Sequence, residues 1–85
     1  MPTIFRSGGF RFVIWPGDHP PPHVHVFRAG AELKINLGLR GNLPHVKLNN
    51  RMSKHHENVA LLVVATKNEL FLRRWEDIYG KVDDN

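Results

Sequence analysis

Apolar and polar residues alternate along residues 23–28 and again along residues 31–36. A period of two is typical of a β-strand with one buried face. The two residues between these stretches, Ala29 and Gly30, favour a tight turn, so we predict a β-hairpin. The apolar residues of both strands fall on the same face in this register, which supports it independently of the turn. The predicted pairs are Val24 with Ile35, Val26 with Leu33, His23 with Asn36, His25 with Lys34, and Phe27 with Glu32.

Three further segments have strand character. Residues 3–6 and 10–15 are rich in β-branched and aromatic residues, and the Ser-Gly-Gly sequence between them predicts a turn. Residues 45–48 predict a short edge strand. On residues 10–15 the alternation separates two faces, one with Phe10, Phe12 and Ile14 and the other with Arg11, Val13 and Trp15.

The C-terminal third changes to helical periodicity. We predict one long helix from about Ser53 to Tyr79, ended by Gly80 and capped at its start by Asn50 or Ser53. Its apolar stripe comprises Leu61, Val64, Phe71, Trp75 and Ile78, with Asn68 as the polar member. The predicted fold is therefore α+β: an antiparallel sheet of four or five strands, with this helix packed on the face bearing Val24, Val26, Leu33 and Ile35.

Length and composition indicate one small domain. The chain has 85 residues and no cysteine, and we expect residues 1–48 to be mainly β, 53–80 helical and 81–85 a frayed tail. No stretch is apolar enough for a membrane span, and the N-terminus lacks the apolar run of a signal peptide. We therefore expect a cytoplasmic protein without membrane association. The net charge of +4 favours an anionic partner such as nucleic acid.

The most distinctive chemistry lies in residues 18–26, where three of the six histidines occur within seven residues. Three consecutive prolines precede the hairpin and predict a stiff, extended arm. His23 and His25 then fall on the strand face opposite the valines, so we predict that both point away from the helix into solvent. Lys34 faces His25 across the hairpin, and Arg11 joins this face if its strand is the neighbour.

The chain resembles a small bacterial family known as domain of unknown function 4160. The matching residues are Met1-Pro2-Thr3-Ile4, Arg11-Phe12, Asp18-His19, Pro21-Pro22-His23-Val24-His25-Val26, Lys34 and Trp75. The resemblance implies a toxin–antitoxin pair encoded by two neighbouring small genes, but it implies no mechanism. Many relatives have an aromatic residue after the lysine, where this chain has Ile35.

Three interpretations of the histidines remain open. In the first, His23 and His25 act as general base and general acid on a phosphate group that Arg11 and Lys34 bind. In the second they bind a metal ion, with Asp18 or His19 as an additional ligand. The third is structural. Because the Lys34 ammonium would repel a divalent cation, we expect no metal, and we expect no other cofactor.

The function predicted first is the toxin-type component of such a pair, acting on RNA or another phosphate-containing target. RNA is favoured because its own hydroxyl is an internal nucleophile. The alternative is a non-catalytic regulatory module that binds nucleic acid or protein. Whether the chain is an enzyme therefore stays open. In both cases the expected partner is a cognate small protein from a neighbouring gene.

Overall fold

The computed structural model describes residues 3–80; Met1, Pro2 and the predicted frayed tail at 81–85 lie outside the described residues. Five strands form one antiparallel sheet in chain order, and two helices follow. The strands are β1 (Thr3–Ser7), β2 (Phe10–Val13), β3 (His23–Arg28), β4 (Ala31–Asn36) and β5 (His45–Asn50), and the helices are α1 (Lys54–Thr66) and α2 (Asn68–Tyr79). The predicted α+β class is confirmed, with five strands rather than four.

The β3–β4 hairpin has the predicted register. All five predicted cross-strand pairs are present, and Arg28 pairs with Ala31 beside the turn. Ala29 and Gly30 have φ values of 48° and 81°, the left-handed conformation that a type I′ turn requires at both central positions. Arg11 pairs with Phe27, so β2 is the neighbour of β3 and Arg11 lies on the histidine-bearing face, as expected.

The opposite face of the sheet carries the core. Both helices cover it, and the ring of Phe71 lies 5.6 Å from that of Phe12 and 5.9 Å from that of Phe5, centroid to centroid. The prediction for this face is confirmed, because its four aliphatic side chains from the hairpin are fully buried. These are Val24, Val26, Leu33 and Ile35.

The prediction of one long helix is wrong. The helix breaks at Lys67, whose φ of −110° and ψ of 20° lie outside the helical range. Next to the break, the side chain of Asn68 accepts a hydrogen bond from the backbone N–H of Gly38 and donates one to its carbonyl, both at 2.8 Å. The bend places this amide against the loop after β4. Ile78, a member of the predicted apolar stripe, is 44% exposed.

Gly38 is required at the position that Asn68 contacts. A Cβ atom there would collide with the carbonyl oxygen of Asn42, which is backbone and cannot easily move. The loop therefore approaches itself closely at the place where α2 begins.

We expect Asn68→Ala to lower the free energy of unfolding by about 2 kcal/mol, because two partly buried backbone groups lose their partner. Urea denaturation measures the effect, with the exposed Asn58→Ala as the matched control. A loss in Asn68→Ala no larger than in the control would contradict the role given to this amide.

The junction between sheet and helices also differs from the prediction at one point. β5 extends through Asn50, which the sequence analysis offered as a possible cap of the helix. Ser53 is the cap of α1, since its hydroxyl accepts a hydrogen bond from the N–H of His56 at 3.1 Å. Neither helix of residues 3–80 is long and apolar enough to cross a membrane.

Candidate functional site

The loop between β2 and β3 brings Asp18 to the histidine strand. The backbone N–H of Asp18 lies 2.7 Å from the hydroxyl of Tyr79 and 3.2 Å from the carbonyl of Trp15. The Tyr79 hydroxyl in turn donates to the Trp15 carbonyl. The last residue of α2 thus holds the loop in place, a contact for which the sequence carried no local signal.

The proline segment differs from the expected extended arm. The chain bends at Pro20 and Pro21, and the peptide bond between them is cis. The carbonyl of Pro21 then points at the ring of His23, which donates a hydrogen bond to it from Nδ1 at 2.9 Å.

Asp18, His23 and His25 form one group, called here the Asp18 cluster. Oδ2 of Asp18 lies 3.3 Å from Nε2 of His23 and 3.4 Å from Nε2 of His25. The two imidazole centroids are 5.2 Å apart. Oδ2 also accepts a hydrogen bond from the backbone N–H of Trp15 at 3.2 Å, which fixes the direction of the carboxylate.

The outer nitrogens of both rings are already engaged. Nδ1 of His25 lies 3.0 Å from the Glu32 carboxylate, as Nδ1 of His23 lies against the Pro21 carbonyl. Because these oxygens are acceptors, each Nδ1 carries the proton that it donates. A neutral ring then presents an unprotonated Nε2, and both Nε2 atoms are buried without a hydrogen-bond partner.

The prediction that both histidines face solvent is wrong for His23. Its side chain is only 3% exposed, and its ring lies 5.3 Å from that of Trp75 on α2. His25 is 15% exposed, with the rings of Trp15 and Phe27 each 6.5 Å away. Strand alternation identified the face correctly, but it gave no indication that Trp75 of α2 and the loop before β3 would enclose His23.

A cavity of about 220 Å³, called here the lysine pocket, adjoins the Asp18 cluster. It contains the predicted Lys34 and also Lys47, which the sequence analysis missed. The β4–β5 register shifts after Lys34, so Lys47 is an extra residue in β5, and a bulge of this kind has no clear sequence signal. The lining residues are Asp18, His19, Pro20, Pro21, His23, Lys34, Asn36 and Lys47.

The structure separates Arg11 from Lys34. Arg11 lines a second, larger cavity of about 450 Å³ together with Arg6 and Arg28, called here the arginine pocket. Its guanidinium lies 5.1 Å from the centroid of the Phe27 ring. The predicted phosphate-binding pair is therefore on one face of the sheet but in two different pockets.

The positive charge of the arginine pocket also acts on α1. Burial of the ring lowers the pKa of His56 below its ordinary value, and the charges of Arg28 and His55 lower it further. The protonated, cationic form of His56 is thus disfavoured at this end of the sheet. Arg28 lies here against the Phe10 ring.

Fold and site together define a small α+β protein with a histidine–aspartate cluster beside a lysine-lined pocket. The family model described as Domain of unknown function (DUF4160) matches residues 9–76, and the chain belongs to this family. The matched range includes every residue of the Asp18 cluster. Comparison with curated proteins and with solved structures gave no match.

Proposed function

We propose that this protein is the toxin-type component of a bacterial toxin–antitoxin pair, acting in the cytoplasm on a phosphate-containing target, with RNA favoured. The observation that carries the chemistry is the lysine pocket, in which Lys34 and Lys47 lie beside His23 and Asp18. The toxin–antitoxin part rests on what the family resemblance implies. It requires a cognate small protein from a neighbouring gene that blocks the activity.

The two lysines supply what a phosphate group needs. Lys34 extends from β4 and Lys47 from β5, and their ammonium groups would bind a phosphate and stabilise the charge that develops on it. Both come from a sheet rather than from a mobile loop. The pocket therefore offers a preorganised anion site.

RNA needs few catalytic groups from a protein. Its 2′-hydroxyl loses a proton and attacks the adjacent phosphorus, the bond to the 5′-oxygen breaks, and that oxygen gains a proton. The products are a 2′,3′-cyclic phosphate and a free 5′-hydroxyl. The Asp18 cluster would supply the groups that assist these proton movements.

The geometry changes how His23 and His25 would act. Both Nε2 atoms point at the same oxygen of Asp18, so the rings do not stand on opposite sides of a bound phosphate. We therefore propose that the two histidines work with Asp18 as one unit. His19 lines the pocket outside this unit and is proposed as a phosphate contact.

The direct test is incubation of the purified protein with a labelled RNA oligonucleotide and with DNA of the same sequence. Cleavage of the RNA alone, leaving a cyclic phosphate, is expected. Induction of the gene in a bacterial host should arrest growth, whereas His25→Ala should not. If the folded protein neither cleaves RNA nor arrests growth, the proposal is contradicted.

We expect Lys34→Ala and Lys47→Ala each to weaken RNA binding roughly tenfold and to reduce the salt dependence, because one phosphate contact is lost. Fluorescence anisotropy at several salt concentrations measures both effects. Lys54→Ala removes the same charge from α1, on the other side of the sheet, and is the matched control. Equal weakening in all three variants would indicate net charge rather than a pocket.

A second candidate is a non-catalytic module that binds nucleic acid. The arginine pocket favours it, because three cationic side chains, Arg6, Arg11 and Arg28, line one cavity. Such a module should bind RNA without cleaving it and should lose affinity in Arg11→Ala. Turnover that survives in Arg11→Ala would favour the enzyme.

A further inference from the structure

At the centre of the Asp18 cluster, two histidine nitrogens face a carboxylate oxygen at close range. With each Nδ1 donating outward, both Nε2 atoms bring lone pairs towards the carboxylate of Asp18. Their distances to Oδ2, 3.3 and 3.4 Å, exceed the roughly 2.7–2.9 Å of a charged N–H···O hydrogen bond. The two Nε2 atoms are buried without a hydrogen-bond partner and face a carboxylate oxygen, an arrangement that a positive species between the three atoms would stabilise.

Protons alone do not satisfy this geometry well. Protonation of both rings would place two imidazolium cations on a single carboxylate oxygen, and one of them, His23, is 3% exposed. Protonation of one ring would leave the other Nε2 still facing an acceptor. A single cation at the centre satisfies all three atoms at once.

The distances agree with a bound metal ion. All three ligand atoms lie within 4.8 Å of one another. In a tetrahedral zinc site with bonds of about 2.0–2.1 Å, neighbouring ligand atoms are roughly 3.3–3.4 Å apart. The separations from Oδ2 to each Nε2, 3.3 and 3.4 Å, have this length. Two imidazole nitrogens and one carboxylate oxygen are also ligands that zinc accepts.

The surroundings of the two histidines support the same conclusion. Histidines that bind a metal usually donate their other N–H to a carbonyl or carboxylate, which fixes the ring and its tautomer. Here the Pro21 carbonyl does this for His23, and the Glu32 carboxylate does it for His25. Both partners are already in position.

Lys34 was the reason to expect no metal, but the described residues around the cluster alter the charge balance. Asp18 and Glu32 bring two negative charges, which balance the two positive charges of a divalent ion. Lys34 lines the adjoining pocket. Its ammonium would therefore stand beside a site that is neutral when occupied.

We infer that the Asp18 cluster binds one divalent transition-metal ion of the zinc type through Oδ2 of Asp18, Nε2 of His23 and Nε2 of His25. Three protein ligands leave one position open, as in catalytic zinc sites. Asp18 and His23 also line the lysine pocket, where an anion would approach that position. Binding of the ion is independent of the proposed function. Any role of the ion in RNA cleavage rests on that function, and the three ligand atoms would then assist the proton movements only through the ion that they hold.

The test is a titration of untagged, chelator-treated protein with Zn²⁺, followed by calorimetry, and with Co²⁺, followed by its visible absorption. We expect one equivalent to bind, with the absorption of a tetrahedral cobalt site. His25→Gln and Asp18→Asn should each weaken binding roughly 100-fold, and Glu32→Gln roughly 10-fold. His55→Ala, an exposed histidine on α1, should bind as tightly as the unmodified protein.

The outcomes separate this inference from the proposed function. Stoichiometric binding of Zn²⁺ without RNA cleavage would support the site and contradict the function. Cleavage by metal-free protein in chelator would support the function and contradict a role of the ion in cleavage, and the titration would still decide whether the site exists. If the folded protein binds no equivalent of Zn²⁺ or Co²⁺, the proposed site is overturned. Equal weakening in His55→Ala and His25→Gln would overturn it as well, because surface histidines would then account for the binding.

Discussion

His23→Ala is expected to lower the free energy of unfolding by about 3 kcal/mol, although the residue is a histidine on a strand face. The side chain is 3% exposed and packs against Trp75, so its removal leaves a cavity between β3 and α2. It also leaves the Pro21 carbonyl without its hydrogen bond. For a domain of this size the change corresponds to a drop in Tm of roughly 15 °C.

Thermal and urea denaturation in the presence of a chelator measure this effect without a contribution from bound metal. His55→Ala is the matched control, because its side chain is exposed and truncation should change stability by less than about 0.5 kcal/mol. If His23→Ala proves as stable as this control, the burial of His23 against Trp75 is contradicted.

The sheet could be predicted largely from local patterns. The Ala29-Gly30 turn and the matching parity of the flanking strands specified every pair of the hairpin, because a shift by one residue would reverse both faces. Arg11 was expected on the same face only if β2 was the neighbour, and the structure supplies that condition.

The errors in the fold have a common physical cause. The helix break at Lys67 accompanies hydrogen bonds between Asn68 and Gly38, and the burial of His23 depends on Trp75. Each contact joins residues distant in the chain. Periodicity reports which face of an element is apolar, but not where a second element will touch it.

The candidate site could be predicted only in part, because it too depends on contacts between residues that are distant in the chain. His23, His25 and Lys34 were identified because they lie on adjacent strands of one hairpin. The close approach of Asp18 depends on a loop held by Tyr79 at the far end of the chain. Without that contact, the approach of Asp18 to His23 and His25 cannot be predicted from the sequence, and the expectation of no metal rested on the repulsion from Lys34 alone.

The largest effect on activity is expected in His25→Ala and Asp18→Asn. Each should lower the rate of RNA cleavage on the order of 10³-fold, since either change disrupts the unit that assists the proton movements. Asp18→Asn keeps the shape of the side chain. Neither residue is a core residue, at 15% and 17% side-chain exposure, so both variants should remain folded.

The double variant distinguishes one unit from two independent groups. If Asp18 and His25 act together, their combined loss should be no greater than either single loss, because a unit missing one member has already failed. Independent groups would instead multiply their effects, to the order of 10⁶-fold. Single-turnover cleavage rates with melting curves for each variant provide the measurement, and His55→Ala should keep full activity. Multiplied losses would contradict the shared role of Oδ2 and Nε2, and full cleavage activity in both single variants would contradict any catalytic role of the Asp18 cluster.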